Sequence, residues 1–488
     1  MRPLLARFTC LTRLTRFTRF TRLTAASLLT AAVTTSPQLH AETLRLAIGT
    51  QDTTINCATG GLLIRELKLL DKYLPHEGKY KNVQYDVQWK NFTSGAPLTN
   101  EMIADKLDIG TMADFPGSAN GAAFLKAGKK SLFITVLSGS TLGSGNGVVV
   151  PKDSPYQSLS ELRGKTISVP FASAAHGMLL RALKDQGLDP EKDVTIITQA
   201  PEVAGPALQA GKIDAHADFV PFAELFPYRG FARKIYDGVQ SSTPTFHGSL
   251  VNADFAQKYP ELVVAFLRAA IEADQLLSAE PEKYSELIER VTGIEAPVSY
   301  LFHGPLGLQT RDFTWKPQYR QALQTSIDTL HLMRRIDVKL EAASFVDDQY
   351  IRAAFKQAGL NYDARLAINE KLPLKANDSL TGKPITDTQR LAGIWVSGEP
   401  KVRHYASIEG ALQDLQRLEK TGKSARAVYV HDLIHRIKLL APLAWYARDP
   451  KGQVSAFLQK DAAQAYAAAN KGQWFDYAGL RTIDREKR

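Results

Sequence analysis

The sequence predicts an α/β protein of two lobes followed by a small α+β domain. Strand-like and helix-like segments alternate over residues 43–217, the text of βαβ units and of a parallel, helix-covered sheet. A phrase recurs at two strand ends: Ala104-Asp105-Lys106-Leu107-Asp108-Ile109 is echoed by Ala210-Gly211-Lys212-Ile213-Asp214-Ala215, and Asp-Phe follows each, at Asp114-Phe115 and Asp218-Phe219. A polar stretch bearing Pro and Gly, residues 374–393, then separates a last segment of different texture. With 488 residues the chain has room for several domains.

The first strand, residues 43–49, alternates and stops at Gly49. Residues 61–73 follow with Leu62, Leu63, Leu67 and Leu70 at helical spacing, and residues 83–89 alternate with period two. Further strands are predicted at 109–112, 133–137, 147–150, 166–169, 194–198 and 213–217, with helices at 177–186 and 203–210 among them. Residues 253–355 carry long helical periods. The tail reads as a helix at 408–418, a strand at 427–430, another near 443–447 and an Ala-rich helix at 461–470. The resulting division is a two-lobed body over 42–375 (one lobe from 42–148 and 249–375, the other 149–248), a linker over 376–398, and a tail domain over 399–488.

Hydrophobic residues make up 44 % and charged residues 23 %, enough to build cores and to exclude a disordered chain. The formal charge of +10 suggests nucleic acid until it is located: Arg2, Arg7, Arg13, Arg16, Arg19 and Arg22 all precede Ala41, with no acidic residue among them. No nucleic-acid partner is therefore expected. The small and apolar stretch 25–33, then Pro37 and Leu39-His40-Ala41, reads as an export signal cleaved near Ala41, which places the mature chain in the periplasm; the Arg- and Thr-rich run 12–20 also has the texture of an organellar transit peptide. No later segment approaches the ~18 apolar residues of a membrane span. Of the two cysteines, Cys10 falls in the removed segment, so Cys57 is left without an intrachain partner and all-Cys metal sites are excluded.

The strongest local signal is the passage from residues 166–169 into Pro170-Phe171-Ala172-Ser173-Ala174-Ala175-His176. A strand runs through a short loop into a helix that Ser173 is placed to cap, and the free amides of that first turn suit an anionic oxygen. Thr59-Gly60-Gly61 opens the first helix in the same way, after a loop rich in hydrogen-bonding side chains, Thr50 to Cys57. His176 is open to two readings, a donor at a ligand or a helix residue packed against Met112 or Phe171.

These residues meet a family. Gly147-Val148-Val149-Val150-Pro151-Lys152-Asp153-Ser154, then Ser158-Leu159-Ser160-Glu161-Leu162-Arg163-Gly164-Lys165, then residues 173–183, resemble the periplasmic substrate-binding proteins of ABC importers for nitrate, taurine and alkanesulfonates. The resemblance spans about residues 42–363. It implies a type II periplasmic-binding fold, a small organic anion or zwitterion trapped between lobes by hinge closure, and a permease and ATPase as partners, with no catalytic group, metal or cofactor. Carried onto this sequence, the ligand contacts are Gln51 and Asp52 after the first strand, Asp114 and Phe115 after the third, Ser138 and Ser140 beyond the next, Ser173 and His176 at the helix start, and Asp218 with Phe219 opposite. Many sulfonate and taurine binders carry Trp near the position of Asp218; Phe219 and Phe222 stand there in this chain, which leaves the ligand class open. A carboxylate at Asp218 repels a sulfonate, yet it would accept from a ligand amine, which turns the expectation toward a zwitterion.

The tail passages 425–433, 456–466 and 470–472 resemble the nitrous-oxide-reductase accessory family of copper-binding lipoproteins (NosL-like). Where that family carries Cys-Met, this chain reads Glu409-Gly410-Ala411, so the soft ligands copper(I) prefers are missing. His431 and His435 would share a face if residues 430–436 were helical, whereas a strand ending at His431 would part them. The alternatives to a solute receptor are a copper-linked accessory protein and a pyrimidine-synthase-like enzyme on the same fold.

Overall fold

The computed structural model describes residues 42–368 and 371–486, with side chains through 483; the segment read as an export signal, with Cys10 and Ala41, lies outside them. Ten strands build two five-stranded sheets: β1 (Glu42–Thr50), β2 (Val83–Asn91), β3 (Ile109–Ala113), β4 (Ser131–Ser140), β5 (Gly147–Pro151), β6 (Thr166–Val169), β7 (Thr195–Thr198), β8 (Ala215–Asp218), β9 (Ala232–Asp237) and β10 (Thr245–Asn252). The first sheet runs in the order β2-β1-β3-β10-β4 and the second β7-β6-β8-β5-β9. The chain thus crosses between lobes twice, from β4 to β5 and from β9 to β10, as in the two-lobed periplasmic-binding fold. Both sheets are mixed, which strand–helix alternation alone does not announce: β10 is antiparallel to β3 and β4, and β5 is antiparallel to β8 and β9. Sheet membership also moves the lobe limits, since β5 joins the second sheet from Gly147 and β10 returns to the first from Thr245.

Burial follows position in the sheet. All ten residues of β4 are buried between helices, while β2, at an edge, alternates between half-buried and exposed. The covering helices are α1 (Leu62–Glu66), α2 (Gly95–Ile103), α3 (Asp114–Lys126), α4 (Ala174–Asp185), α5 (Pro201–Gln209), α6 (Phe222–Tyr228), α7 (Ala253–Lys258), α8 (Pro260–Ala279), α9 (Pro281–Thr292), α10 (Ala296–His303) and α11 (Pro317–Leu332). The helix expected over 61–73 is only α1 plus a short 3-10 turn, because Lys68 takes a left-handed backbone (φ 52°) that breaks the helical run.

The tail holds two antiparallel sheets. One consists of β11 (Ala392–Val396), β12 (Arg403–Tyr405), β13 (Ala425–His431) and β14 (Lys438–Leu440) in the order β12-β11-β13-β14; the other consists of β15 (Trp445–Arg448), β16 (Val454–Phe457) and β17 (Gln473–Phe475) in the order β16-β15-β17. Strand β11 lies inside the stretch read as a linker, is buried throughout and sits in the interior of its sheet, so the tail begins before residue 399. It is no tethered appendage: the chain from Glu42 onward is one compact unit. Tyr429 donates from its hydroxyl to the Pro297 carbonyl (2.9 Å), the Val402 amide donates to Glu282 (3.1 Å), and Arg426 pairs with Glu286 and Glu289. Tyr228 of the second lobe donates to the Arg426 carbonyl (3.1 Å), so the tail touches both lobes.

Candidate functional site: an interlobe cleft without charged side chains

A cleft of about 370 Å³ lies between the two sheets. The first lobe contributes Gln51 and Thr54, the turn from Thr93 to Ala96, Ala113 and His247; the second contributes the loop from Pro170 to Ala174, Thr198, Ala200, Pro201 and Phe219. Among the described residues that line it there is no Asp, Glu, Lys or Arg. Four helices instead begin at its wall, α2 from Ser94, α3 from Ala113, α4 from Ser173 and α5 from Ala200. At Ser94, Ala113 and Ala200 no side chain caps the helix, which leaves first-turn N–H groups free of side-chain acceptors. Each N-terminus carries roughly half a positive charge. An anion in this cleft would meet fixed dipoles at its wall, with the Arg335 guanidinium 5.9 Å from the Phe171 ring centre as a cation at its edge, against walls made apolar by Pro116, Pro170, Phe171, Pro201 and Phe219.

Of the ten residues carried over from the resemblance, Gln51, Ser173 and Phe219 line the cleft. Gln51 is held by its amide nitrogen to the Thr111 carbonyl (2.8 Å), and the Ser173 oxygen accepts from the His176 amide (3.2 Å), so the serine both caps its helix and faces the cleft. The other seven are placed elsewhere, each engaged by partners of its own. Asp52 accepts from the Thr50 hydroxyl (2.7 Å) and pairs with Arg65 (2.9 Å). Asp114 is fully buried with its oxygens taken by Thr245 (3.0 Å) and Ser326 (2.7 Å); burial pushes its pKa up. Phe115 packs between the lobes against Gly177, edge-on to His176. The Ser138 hydroxyl donates to the Asn56 carbonyl, and Ser140 shares a hydrogen bond with Ser144 at the first lobe crossing.

His176 settles on the packing side of its two readings: its ring stacks on Phe171 (4.8 Å, 6°), and Nδ1 accepts from the Ala172 amide (3.2 Å). Asp218 is tied to His216 Nε2 (2.7 Å) and to the Phe219 amide (2.8 Å), so it offers nothing to a ligand amine. The same histidine reaches Ser168 Oγ through Nδ1 (2.7 Å). This Ser168–His216–Asp218 chain has the connectivity of a hydrolytic triad, but all three residues are 0 % exposed and none lines the cleft. Thr59-Gly60-Gly61 does lead into the first helix, with Thr59 and Gly60 ending a buried 3-10 turn and Gly61 at the N-cap of α1, but that start is not at the cleft.

Sequence reasoning missed Thr54, the Ser94-Gly95 helix start and His247. The Ser-Gly-Ala-Pro run at 94–97 carries a helix-start signal. His247 depends on β10, whose register sets it beside Ala113 and Ser138 at the start of α3. Its Nδ1 meets the Asn56 amide group at 3.3 Å, and burial depresses its pKa to about 3; burial, aided by Arg335, takes His176 to about 4. Both rings are therefore neutral from pH 5 to 8. A folded-state pKa below the unfolded value of ~6.5 means that the unfolded chain takes up protons first, so this part of the stability is complete above pH 6.5 and is lost as pH falls toward 4. Affinity for a strong-acid anion is expected to change less than threefold between pH 7.5 and 5.5, while the denaturation midpoint drops. A binding profile with an inflection near pH 6 would contradict this assignment.

Among the described residues no group of three or more His, Cys, Asp or Glu is arranged to hold a metal ion. His431 ends β13 and bonds to the Leu391 carbonyl (3.1 Å), whereas His435 lies in the following turn on Asp432 (3.0 Å), so the strand reading holds and the two are parted. No helix among the described residues is long and apolar enough to cross a membrane.

The sequence model of the NMT1-like family matches residues 74–292. The taurine-binding periplasmic protein of Escherichia coli (strain K12) is 29 % identical over 279 residues, 56 % of this chain and 84 % of that protein. A putative aliphatic sulfonates-binding protein of the same organism is 27 % identical over 252 residues, 50 % of this chain and 73 % of its own length. Among solved structures, the alkanesulfonate-binding protein SsuA from Xanthomonas axonopodis pv. citri, bound to MOPS, matches with a TM-score of 0.52 and 23 % identity; the match covers 63 % of this chain and 99 % of that one. That neighbour is thus accounted for almost whole, and this chain adds further structure to a shared two-lobed fold.

Proposed function

We propose that this chain is the solute-capturing component of a periplasmic ABC importer and that its ligand is an organic anion of the sulfonate class with an uncharged, apolar body. The observation that carries this is the cleft itself: four helix N-termini and no charged side chain. A divalent anion would call for a cation in the wall, and a zwitterion for a carboxylate. With Asp218 bound to His216, the cleft has none to offer an ammonium. Thr54 Oγ, buried at the wall with no partner among the described residues, is a further donor for the anion. The permease and ATPase are the partners this role requires, and the Arg-rich leader supports export. The inaccessible Ser168–His216–Asp218 array supports capture rather than hydrolysis. The tail's resemblance to the nitrous-oxide-reductase accessory family supports common descent, while the loss of Cys-Met at 409–411 supports a role other than copper handling.

Calorimetry on the mature chain with straight-chain alkanesulfonates, taurine and nitrate tests the reading. Hexanesulfonate is expected to bind at least tenfold tighter than taurine, and nitrate, which leaves most of the cleft unfilled, weaker than both. Taurine binding tighter than every alkanesulfonate would overturn the preference for an uncharged body; no binding of any sulfonate would overturn the receptor reading.

A further inference from the structure

The tail sheet presses a polar face onto the first lobe. His431 and Lys438 are opposed in register on β13 and β14, so their side chains leave the same face, which Tyr429 shares two residues along. Gly393 stands opposite both Tyr429 and His404 in the middle of that sheet, closely packed by the Val402 side chain. Against it stands Tyr300 of α10. The Lys438 amine, 3 % exposed, lies 4.5 Å from the Tyr300 ring centre and 5.7 Å from that of Tyr429, yet no acceptor among the described residues takes any of its hydrogens. The Tyr300 hydroxyl (1 % exposed) and His431 Nε2 (4 %) are equally without hydrogen-bond partners among the described residues. Buried polar ends normally find a hydrogen bond, and three orphans on one seam mark a place built to receive something.

Beside them lies a cavity of about 490 Å³ between α8–α10, residues 372–376 and β12. Tyr300 and His404 form part of its wall, and Lys375 and Lys401 stand at it. Its one carboxylate, Glu282, is already engaged by Lys401 (3.2 Å) and by the Val402 amide (3.1 Å). Apart from Ser278 the rest is apolar, with Pro281, Leu372 and Leu374 among the lining.

We propose that this seam between tail and first lobe is a second ligand site, separate from the interlobe cleft, that takes a small organic oxyanion (carboxylate or sulfonate) on Lys438 and the Tyr300 hydroxyl, with its apolar body against the proline and leucine wall. The electrostatics agree: burial, with Lys371 nearby, draws the Lys438 pKa down to about 7, and an anion beside it would restore the charge. The proposal does not rest on the identity of the cleft ligand.

Crystals of the chain from Glu42 onward, soaked in 4-bromobenzoate or 4-bromobenzenesulfonate, test it through the anomalous signal of bromine, which separates this site from the cleft. A bromine peak in the seam with the oxyanion on Lys438 and Tyr300 is expected for at least one probe, and the arm that gives it names the head group. In solution, Ser173→Asp, which should disable the cleft, is expected to keep binding that probe, whereas adding Lys438→Met weakens it at least tenfold. Lys438→Met removes an unpaired buried amine, so the unliganded chain should unfold at a higher midpoint. Tyr300→Phe, which keeps the ring in place, gives a second, milder loss should Lys438→Met fail to fold. Ordered water alone on Lys438 and Tyr300, bromine in the cleft only, or a seam peak with no binding in solution would each overturn the proposal.

Discussion

A Ser173→Asp chain is expected to fold normally and to lose its sulfonate. Aspartate caps a helix as well as serine does, so the bond now made to the His176 amide is preserved and stability should change by less than about 1 kcal/mol. The new carboxylate, however, enters a cleft whose wall holds no cation to absorb it, and it competes for the amides that the anion would use. Two unit charges ~4 Å apart at an effective dielectric near 20 repel by about 4 kcal/mol. Affinity for hexanesulfonate should therefore fall by about 10²- to 10³-fold in calorimetry, with an unchanged denaturation midpoint. Ser173→Asn, which caps without charge, should stay within tenfold of the parent. Binding by the aspartate variant within threefold of the parent would mean that the start of α4 is not where the anion sits.

Ser173 was legible in the sequence because capping is local: a serine between a strand and an apolar helix can be recognised within a dozen residues. Gln51 and Phe219 were reached through the family phrase. The Asp-Phe echo, by contrast, reports architecture. Asp114 and Asp218 each end a strand and are buried, one on Thr245 and Ser326, the other on His216. Those partners come from β10, α11 and the strand's own residue two positions back, so no window around the aspartates reveals that they are satisfied.

His247 shows the same limit from the other side. Its place at the cleft depends on β10 inserting antiparallel between β3 and β4, a long-range pairing that no local periodicity announces. Strand β11 is five buried residues inside the span 376–398, and only its pairing with β12 and β13 turns a linker into the interior of a sheet. Element types in the alternating half of the chain were therefore readable, as was the existence of two lobes. What escaped was which strand ends meet, and with it most of the site.

Lys234→Met is expected to be the most destabilising single change in the second lobe. The lysine sits on β9 among two buried carboxylates, 2.7 Å from Asp237 and paired as well with Glu224. Burial opposes its charge, but Asp237 and Glu224 outweigh that and hold its pKa above the ordinary value; burial raises Glu224 in spite of the lysine. Methionine fits the stem and leaves two carboxylates facing each other without a cation, a loss of about 3–5 kcal/mol. The position matters for function because Asp237 also accepts from the Val239 amide (2.9 Å), in the turn that carries the chain back to β10 and its His247. A Lys234→Met, Glu224→Gln, Asp237→Asn triple variant keeps a side-chain oxygen for that turn and removes the stranded charges. It should recover most of the lost stability, as urea denaturation would measure. If Lys234→Met alone stays within 1 kcal/mol of the parent, the cluster is solvated and the second crossing is held by packing instead. If the single change is severe and the triple variant does not recover, the lysine is required for the shape of the crossing rather than for its charge.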